Sequence, residues 1–197
     1  MKKIVTIILD NYADWEGAYI GVAFSELGIE HEIKYASLDV LPKKSIGGMT
    51  AVPDMAINEI PMDTDILILV GANASWRSIE TEDIKEKVNA FFNEGKVVGA
   101  ICDAATYLGI TGILNSHEHT LNSLAEMKDF EAYSGSDRYK KEESVRDFNL
   151  VTANGNAPVE FTANILRAAE VDEEQVTMFY DFYRNGYHNA LKKYGFE

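Results

Sequence analysis

The sequence predicts an α/β fold, a doubly wound three-layer sandwich with a mostly parallel central sheet. Three observations carry this expectation. The runs 4–9 and 66–70 are apolar at nearly every residue and rich in β-branched side chains, the mark of strands buried on both faces. Helical periods alternate with such runs along the chain, as parallel strands joined by crossover helices require. The run 97–102 passes into a helical pattern with no turn residues between, as a nucleophile elbow does.

The elements follow in order. The run 4–9 is the first strand. It is only six residues long and ends at Asp10, too short for a secretory leader, so a cytoplasmic protein is expected. Trp15, Ala18, Tyr19, Val22, Ala23 and Leu27 then keep a helical period, and Gly28 sits where a C-cap belongs. Residues 31–38 read as a second strand. The segment 42–53 interrupts the alternation, and Gly47-Gly48 suggests a small hairpin. Ile84, Val88, Phe91 and Phe92 mark a helix stopped by Gly95. The strand 97–102 is softened by Gly99 and Ala100. A second hairpin is expected over 144–153, turning at Asp147-Phe148-Asn149. Pro158 lies in the first turn of a helix whose apolar face is Phe161, Ile165, Ala168 and Ala169. From Asp172 one longer helix carries a stripe of Val176, Phe179, Tyr180, Tyr183, Tyr187 and Leu191. That stripe has two readings: packing on its own core, or a subunit interface.

No repeat, low-complexity tract or linker divides the chain, so residues 1–197 are expected to form a single domain, large enough for a core of its own. The 18 basic and 32 acidic side chains give a formal charge of −14. Such a surface repels phosphate backbones and anionic lipid, so no nucleic-acid partner and no membrane association are expected. The chain has no apolar run long enough to span a bilayer. A single cysteine, Cys102, excludes a disulfide framework and a cysteine-rich zinc site.

Cys102 stands where strand 97–102 becomes helix. Ala100 and Ala104 lie two residues to either side, with Gly99 and Ala105 beyond. A strand that folds sharply into a helix brings its backbone against the first helical turn, where only small neighbours fit. The elbow also sets the thiol at a helix N-terminus, whose exposed N–H groups favour a thiolate. Asp103 opposes that effect, so a modestly lowered thiol pKa is expected.

At these residues the chain resembles the ThiJ/PfpI superfamily, which includes the DJ-one protein. The fold of that superfamily is the flavodoxin-like sandwich of class I glutamine amidotransferase domains. The matching parts arrive in the family's order: Asp14-Trp15-Glu16-Gly17, Ile68-Leu69-Val70-Gly71-Ala72, Ala100-Ile101-Cys102-Asp103-Ala104, Gly112-Ile113-Leu114-Asn115 leading to His119-Thr120-Leu121-Asn122, and Thr152-Ala153-Asn154-Gly155-Asn156-Ala157-Pro158. The resemblance implies that Cys102 is the nucleophile. It implies that Glu16 is the acid at the sulfur, a protonated carboxyl in family members. The N–H groups of Ala72, after Gly71, and of Asp103 would form the oxyanion hole. With strand 4–9 beside the elbow strand, the loop bearing Glu16 would face the same crevice.

Protease-like members place a histidine directly after the cysteine. This chain has Asp103, a poor base near neutral pH, which argues against protease chemistry. Of the four histidines, His119 lies in the segment that the family places near the site and is the candidate to complete a dyad. Trp76 either walls the pocket or packs in the core. Asn154 and Asn156 lie in a turn that the family sets beside the site, although turn chemistry and capping also account for them. His117-Glu118-His119 lacks further ligands, so no metal site is expected. The absence of Gly-x-Gly-x-x-Gly, Walker and phosphate-loop motifs means that no cofactor is expected. The resulting expectation is a cysteine-dependent enzyme acting on a small carbonyl or amide substrate, hydrolase/amidase-like or glyoxalase-like, and by resemblance a homodimer. The alternatives are a redox-responsive stress or chaperone-like protein and a non-catalytic small-molecule binding module.

Overall fold

The structure, a computed structural model, describes residues 1–73, 75–77 and 81–196. Its strands are β1 (Lys2–Ile7), β2 (His31–Ser37), β3 (Lys43–Lys44), β4 (Thr50–Ala51), β5 (Met55–Ala56), β6 (Ile66–Leu69), β7 (Val97–Ile101), β8 (Ser144–Asp147) and β9 (Leu150–Ala153). Seven of them form one sheet in the order β5-β2-β1-β6-β7-β9-β8. Every neighbouring pair is parallel except β8 and β9, which form the expected hairpin with Phe148 at φ 52° in its turn. The expected hairpin at Gly47-Gly48 is also present, as the separate antiparallel pair β3 and β4, with Gly48 at φ 91°.

The helices are α1 (Ala18–Glu26), α2 (Glu82–Asn93), α3 (Asp103–Ile110), α4 (Pro158–Ala168), α5 (Glu173–Arg184) and α6 (Tyr187–Tyr194). The sheet order doubles back at β1: the chain moves one way from β1 to β2 and the other way from β1 through β6, β7 and β9. Right-handed crossovers then put α1 on one face and α2 and α3 on the other. Helix α4 packs with α1 and carries α5, while α2 and α3 lie against β7. This is the doubly wound sandwich, and β6 and β7 are buried at every residue because both faces are covered.

The softness of strand 97–102 has a packing cause. A Cβ on Gly99 would stand 2.5 Å from Ile165 Cδ1 and 2.8 Å from Phe161 Cζ. Glycine lets α4 settle directly on β7, the strand that carries the elbow.

Three expectations are corrected. The first strand and the elbow strand are not neighbours, because β6 lies between β1 and β7. Trp15 is not part of the first helix, which begins at Ala18. The C-terminal helix is two helices, broken at Gly186, whose φ of 96° does not fit a helix. The aromatic stripe divides at that break. Val176 and Phe179 are buried, and Tyr183 meets the Tyr19 ring edge-on at 5.2 Å, so the α5 half packs on its own core. Tyr187, beyond the break, is exposed.

Candidate active site

Cys102 is the single residue between β7 and α3, and its backbone stands at φ 63°, ψ −129°. A non-glycine residue in that region costs on the order of 1–3 kcal/mol and persists only when its surroundings hold it. Both ends are held. Its N–H donates to the Ala153 carbonyl at 3.0 Å, and its own carbonyl accepts from Ala105 at 3.1 Å and Thr106 at 3.3 Å. Ala104 and Ala105 are fully buried beneath the bend, which larger side chains would block.

Four chain segments meet at the sulfur. The Glu16 carboxyl, fully buried, arrives from the turn before α1. Its Oε2 accepts the Gly71 N–H at 2.6 Å. Gly71 and Gly155 press the carboxyl and the thiol together from two sides. A Cβ on Gly71 would lie 3.0 Å from the Cys102 Sγ and 2.9 Å from Glu16 Oε2. On Gly155 it would lie 2.8 Å from Sγ and 3.1 Å from Glu16 Oε1. Asn122 completes the ring: its Nδ2 donates to Sγ at 3.2 Å, and its Oδ1 accepts the Gly155 N–H at 2.8 Å.

The electrostatics follow from this packing. Burial raises the Glu16 pKa to about 7, against the pull of the Gly71 N–H. Glu16 Oε1 is buried with no partner but the Cys102 thiol, whose hydrogen bond favours the carboxylate less than burial disfavours it. Burial, and after it the charge of Glu16, raises the Cys102 pKa to about 11, while the Asn122 amide and the Asp103 N–H favour the anion. The expected modest lowering of the thiol pKa is therefore corrected: the helix N-terminus is outweighed by burial and by Glu16. The two groups titrate as a pair. A proton resting on Glu16 removes the charge that opposes the thiolate.

Asp103 leaves the elbow for an ion pair. Its Oδ1 accepts from Arg77 Nη2 at 3.2 Å, and the Arg77 guanidinium lies over the Phe130 ring. Ala72 is buried directly after Gly71. The sulfur opens on a cleft of about 590 Å³, whose walls include Trp15, Asn122, Tyr139, Lys141, Asn154 and Gly155. Asn154 stands at this cleft as expected, and also makes an Asx turn in which its Oδ1 accepts the Asn156 N–H at 3.1 Å.

Two expected residues stand elsewhere. The His119 ring is fully buried, with Nδ1 2.8 Å from the His117 carbonyl and Nε2 2.8 Å from the Tyr133 hydroxyl. Burial lowers its pKa, both nitrogens are occupied, and it does not line the cleft. The structure thus gives it a packing role rather than a place in a dyad. Trp76 is also in the core, its Nε1 donating to the Val70 carbonyl at 2.8 Å and its ring against Tyr107. The tryptophan at the cleft is Trp15, which donates to the Gly155 carbonyl at 3.0 Å. Sequence reasoning passed over Trp15, Asn122 and Arg77 as site residues. Trp15 and Asn122 lie within the stretches Asp14-Trp15-Glu16-Gly17 and His119-Thr120-Leu121-Asn122, which is the signal that marks them. Among the described residues, no group of three or more His, Cys, Asp or Glu side chains is placed to hold a metal ion.

A strained cysteine elbow at the end of a central parallel strand, with a buried acid at its sulfur, defines an α/β protein of the nucleophile-elbow class. The chain belongs to the DJ-1/PfpI family, whose model matches residues 2–168, and the resemblance read from its motifs holds. It is 36% identical over 196 residues, 99% of this chain and 98% of the other, to the Bacillus subtilis (strain 168) protein named "Uncharacterized protease YdeA". Among solved structures it is similar to the DJ-1 superfamily protein Atu0886 of Agrobacterium tumefaciens, with TM-score 0.82 and 33% identity over 93% of this chain and 100% of that one. The thiJ/pfpI family protein of Bacillus anthracis superposes with TM-score 0.86 at 26% identity, covering 98% of this chain and 96% of that one.

Proposed function

We propose that this protein is a cysteine-dependent enzyme acting on a small carbonyl or amide substrate, hydrolase/amidase-like or glyoxalase-like. The observation that carries the reading is the strained Cys102 sulfur, packed against a buried carboxyl whose pKa lies near 7 and opening on a cleft. A carboxyl that titrates near neutral pH can both take and return a proton there. Glu16 accepts the thiol proton as the sulfur bonds to the carbonyl carbon, and the carbonyl π pair moves onto oxygen. The N–H groups of Ala72 and Asp103 receive that oxyanion. With an aldehyde, Glu16 returns the proton to the oxygen and a hemithioacetal results. With an ester or amide, the oxyanion collapses, the leaving group departs with the proton, and water hydrolyses the thioester. A relative bears the name protease. Here protease chemistry is disfavoured, because Asp103 follows the cysteine and the candidate imidazole, His119, is spent on its own neighbours.

The protein is proposed to work in the cytoplasm, without a cofactor, as a homodimer. No helix among the described residues is long and apolar enough to cross a membrane. Intact mass spectrometry of wild type and Cys102→Ser, each exposed to a panel of aldehydes, activated esters and peroxide, tests the reading. Catalytic consumption of an aldehyde or ester that Cys102→Ser abolishes supports it. Stoichiometric oxidation of Cys102 with no turnover of any substrate replaces it with the oxidant-responsive role.

A further inference from the structure

We infer that Asn122 is the fixed hydrogen-bond donor that stabilises the Cys102 anion, a donor unable to take the thiol proton, so that Glu16 alone receives it. This rests on the reading of Cys102 as a nucleophile. The two ends of an asparagine amide look alike, and their assignment comes from their partners. Gly155 contributes an N–H, which can only donate, so the amide atom 2.8 Å from it is the carbonyl oxygen. The NH₂ group must then face the sulfur, 3.2 Å away.

The orientation is locked from behind. Trp15 holds the Gly155 carbonyl at 3.0 Å, and the Gly155 backbone lies too close to the sulfur to carry a side chain. The indole thus fixes the glycine loop, the loop fixes the amide, and the amide fixes the donor on sulfur. A carboxamide has no useful basicity, so this partner favours the thiolate without competing for its proton.

The other ionisable groups around the sulfur support the same division of labour. Glu16 abuts it from the turn before α1. Asp103, on α3, is paired with Arg77. Tyr139, Lys141, Glu142 and Glu143 also line the cleft, and Glu143 is bonded to Asn154. Of these groups, only the Glu16 side chain is packed against the thiol.

The test is the pH dependence of iodoacetamide alkylation of Cys102 in wild type, Asn122→Ala and Asn122→Asp, with each midpoint shift read from the offset of the rate profiles below the wild-type midpoint near 11. Losing one donor to an anion should raise the midpoint of the Asn122→Ala profile by about one pH unit and slow alkylation roughly tenfold at neutral pH. Asn122→Asp keeps an oxygen for the Gly155 N–H, which preserves the loop, and sets a carboxylate against sulfur. Its midpoint should rise further. A merely structural residue would change stability and leave the midpoint in place. Midpoints that stay or fall in folded variants overturn the inference, and Asn122→Asp decides should Asn122→Ala fail to fold. Alkylation needs no substrate, so this result stands apart from whether the aldehydes and esters are turned over.

Discussion

Glu16→Gln should separate the charge of this carboxyl from its shape. The side chain is fully buried, and its acid titrates near 7 where an ordinary glutamate titrates at 4.5. At about 1.4 kcal/mol per pH decade, the ionised form costs the folded protein about 3 kcal/mol. The sign follows from linkage. The folded pKa lies above the unfolded one, so this contribution to stability is complete below about 4.5, falls as pH rises, and is gone once pH passes about 7. Glutamine keeps an oxygen for the Gly71 N–H and never ionises. Urea unfolding of both proteins at a series of pH values from about 5 to about 8 isolates the effect, since the remaining carboxylates are common to both. Relative to wild type, the variant should gain about 2–3 kcal/mol between the two ends of that range. Removing the charge beside sulfur should also make Cys102 alkylate faster at neutral pH, while substrate turnover falls for want of a proton acceptor. Stability curves that run parallel would show that Glu16 is not the buried acid described, and a fall in alkylation would show that its charge does not oppose the thiolate.

Gly155→Ala sets a methyl 2.8 Å from the sulfur, and should slow alkylation by about tenfold or more and cost about 1–3 kcal/mol, read by labelling kinetics and urea melts. Asp103→Asn should speed alkylation by less than about threefold, since Arg77 already pairs with that carboxylate, whereas Arg77→Ala should slow it; effects of the same sign would refute the pairing. His119→Ala should lower stability by about 2–4 kcal/mol through the cavity left by a fully buried ring and the loss of its bond to Tyr133, yet leave Cys102 alkylation in the folded protein unchanged. Light scattering at micromolar concentration should give twice the chain mass; a monomer would remove the homodimer.

The sheet was readable because strands covered on both faces must be apolar at successive positions, and the runs 4–9 and 66–70 have that form. The elbow was readable because the alanines around Cys102 are small for a steric reason. Strand order was not: no local pattern tells that β6 inserts between β1 and β7. The break at Gly186 could have been read from that glycine, but the aromatic period on either side of it continued the helix too far. The polar half of the site was harder. Asn122 and Arg77 are single residues on irregular segments, and only tertiary contact gives them meaning. His119 drew attention because imidazole is a common base, a property of residue type that says nothing of which carbonyl and hydroxyl already hold its nitrogens. The period that placed Trp15 on a helix hid its indole bond to Gly155.

The chain has two tryptophans, and they occupy separate compartments. Trp76 is 1% exposed and lies against Tyr107, while Trp15 is 43% exposed at the mouth of the cleft. The molecule therefore carries two fluorophores with distinct surroundings. Emission from Trp15 should be red-shifted and open to quenching by acrylamide, and that from Trp76 blue-shifted and shielded until the core opens. A ligand entering the cleft would alter the quenchable fraction alone, whereas unfolding would merge the two populations. With Trp15→Phe and Trp76→Phe to assign the signals, occupancy of the cleft and integrity of the core could be followed in one cuvette without a label.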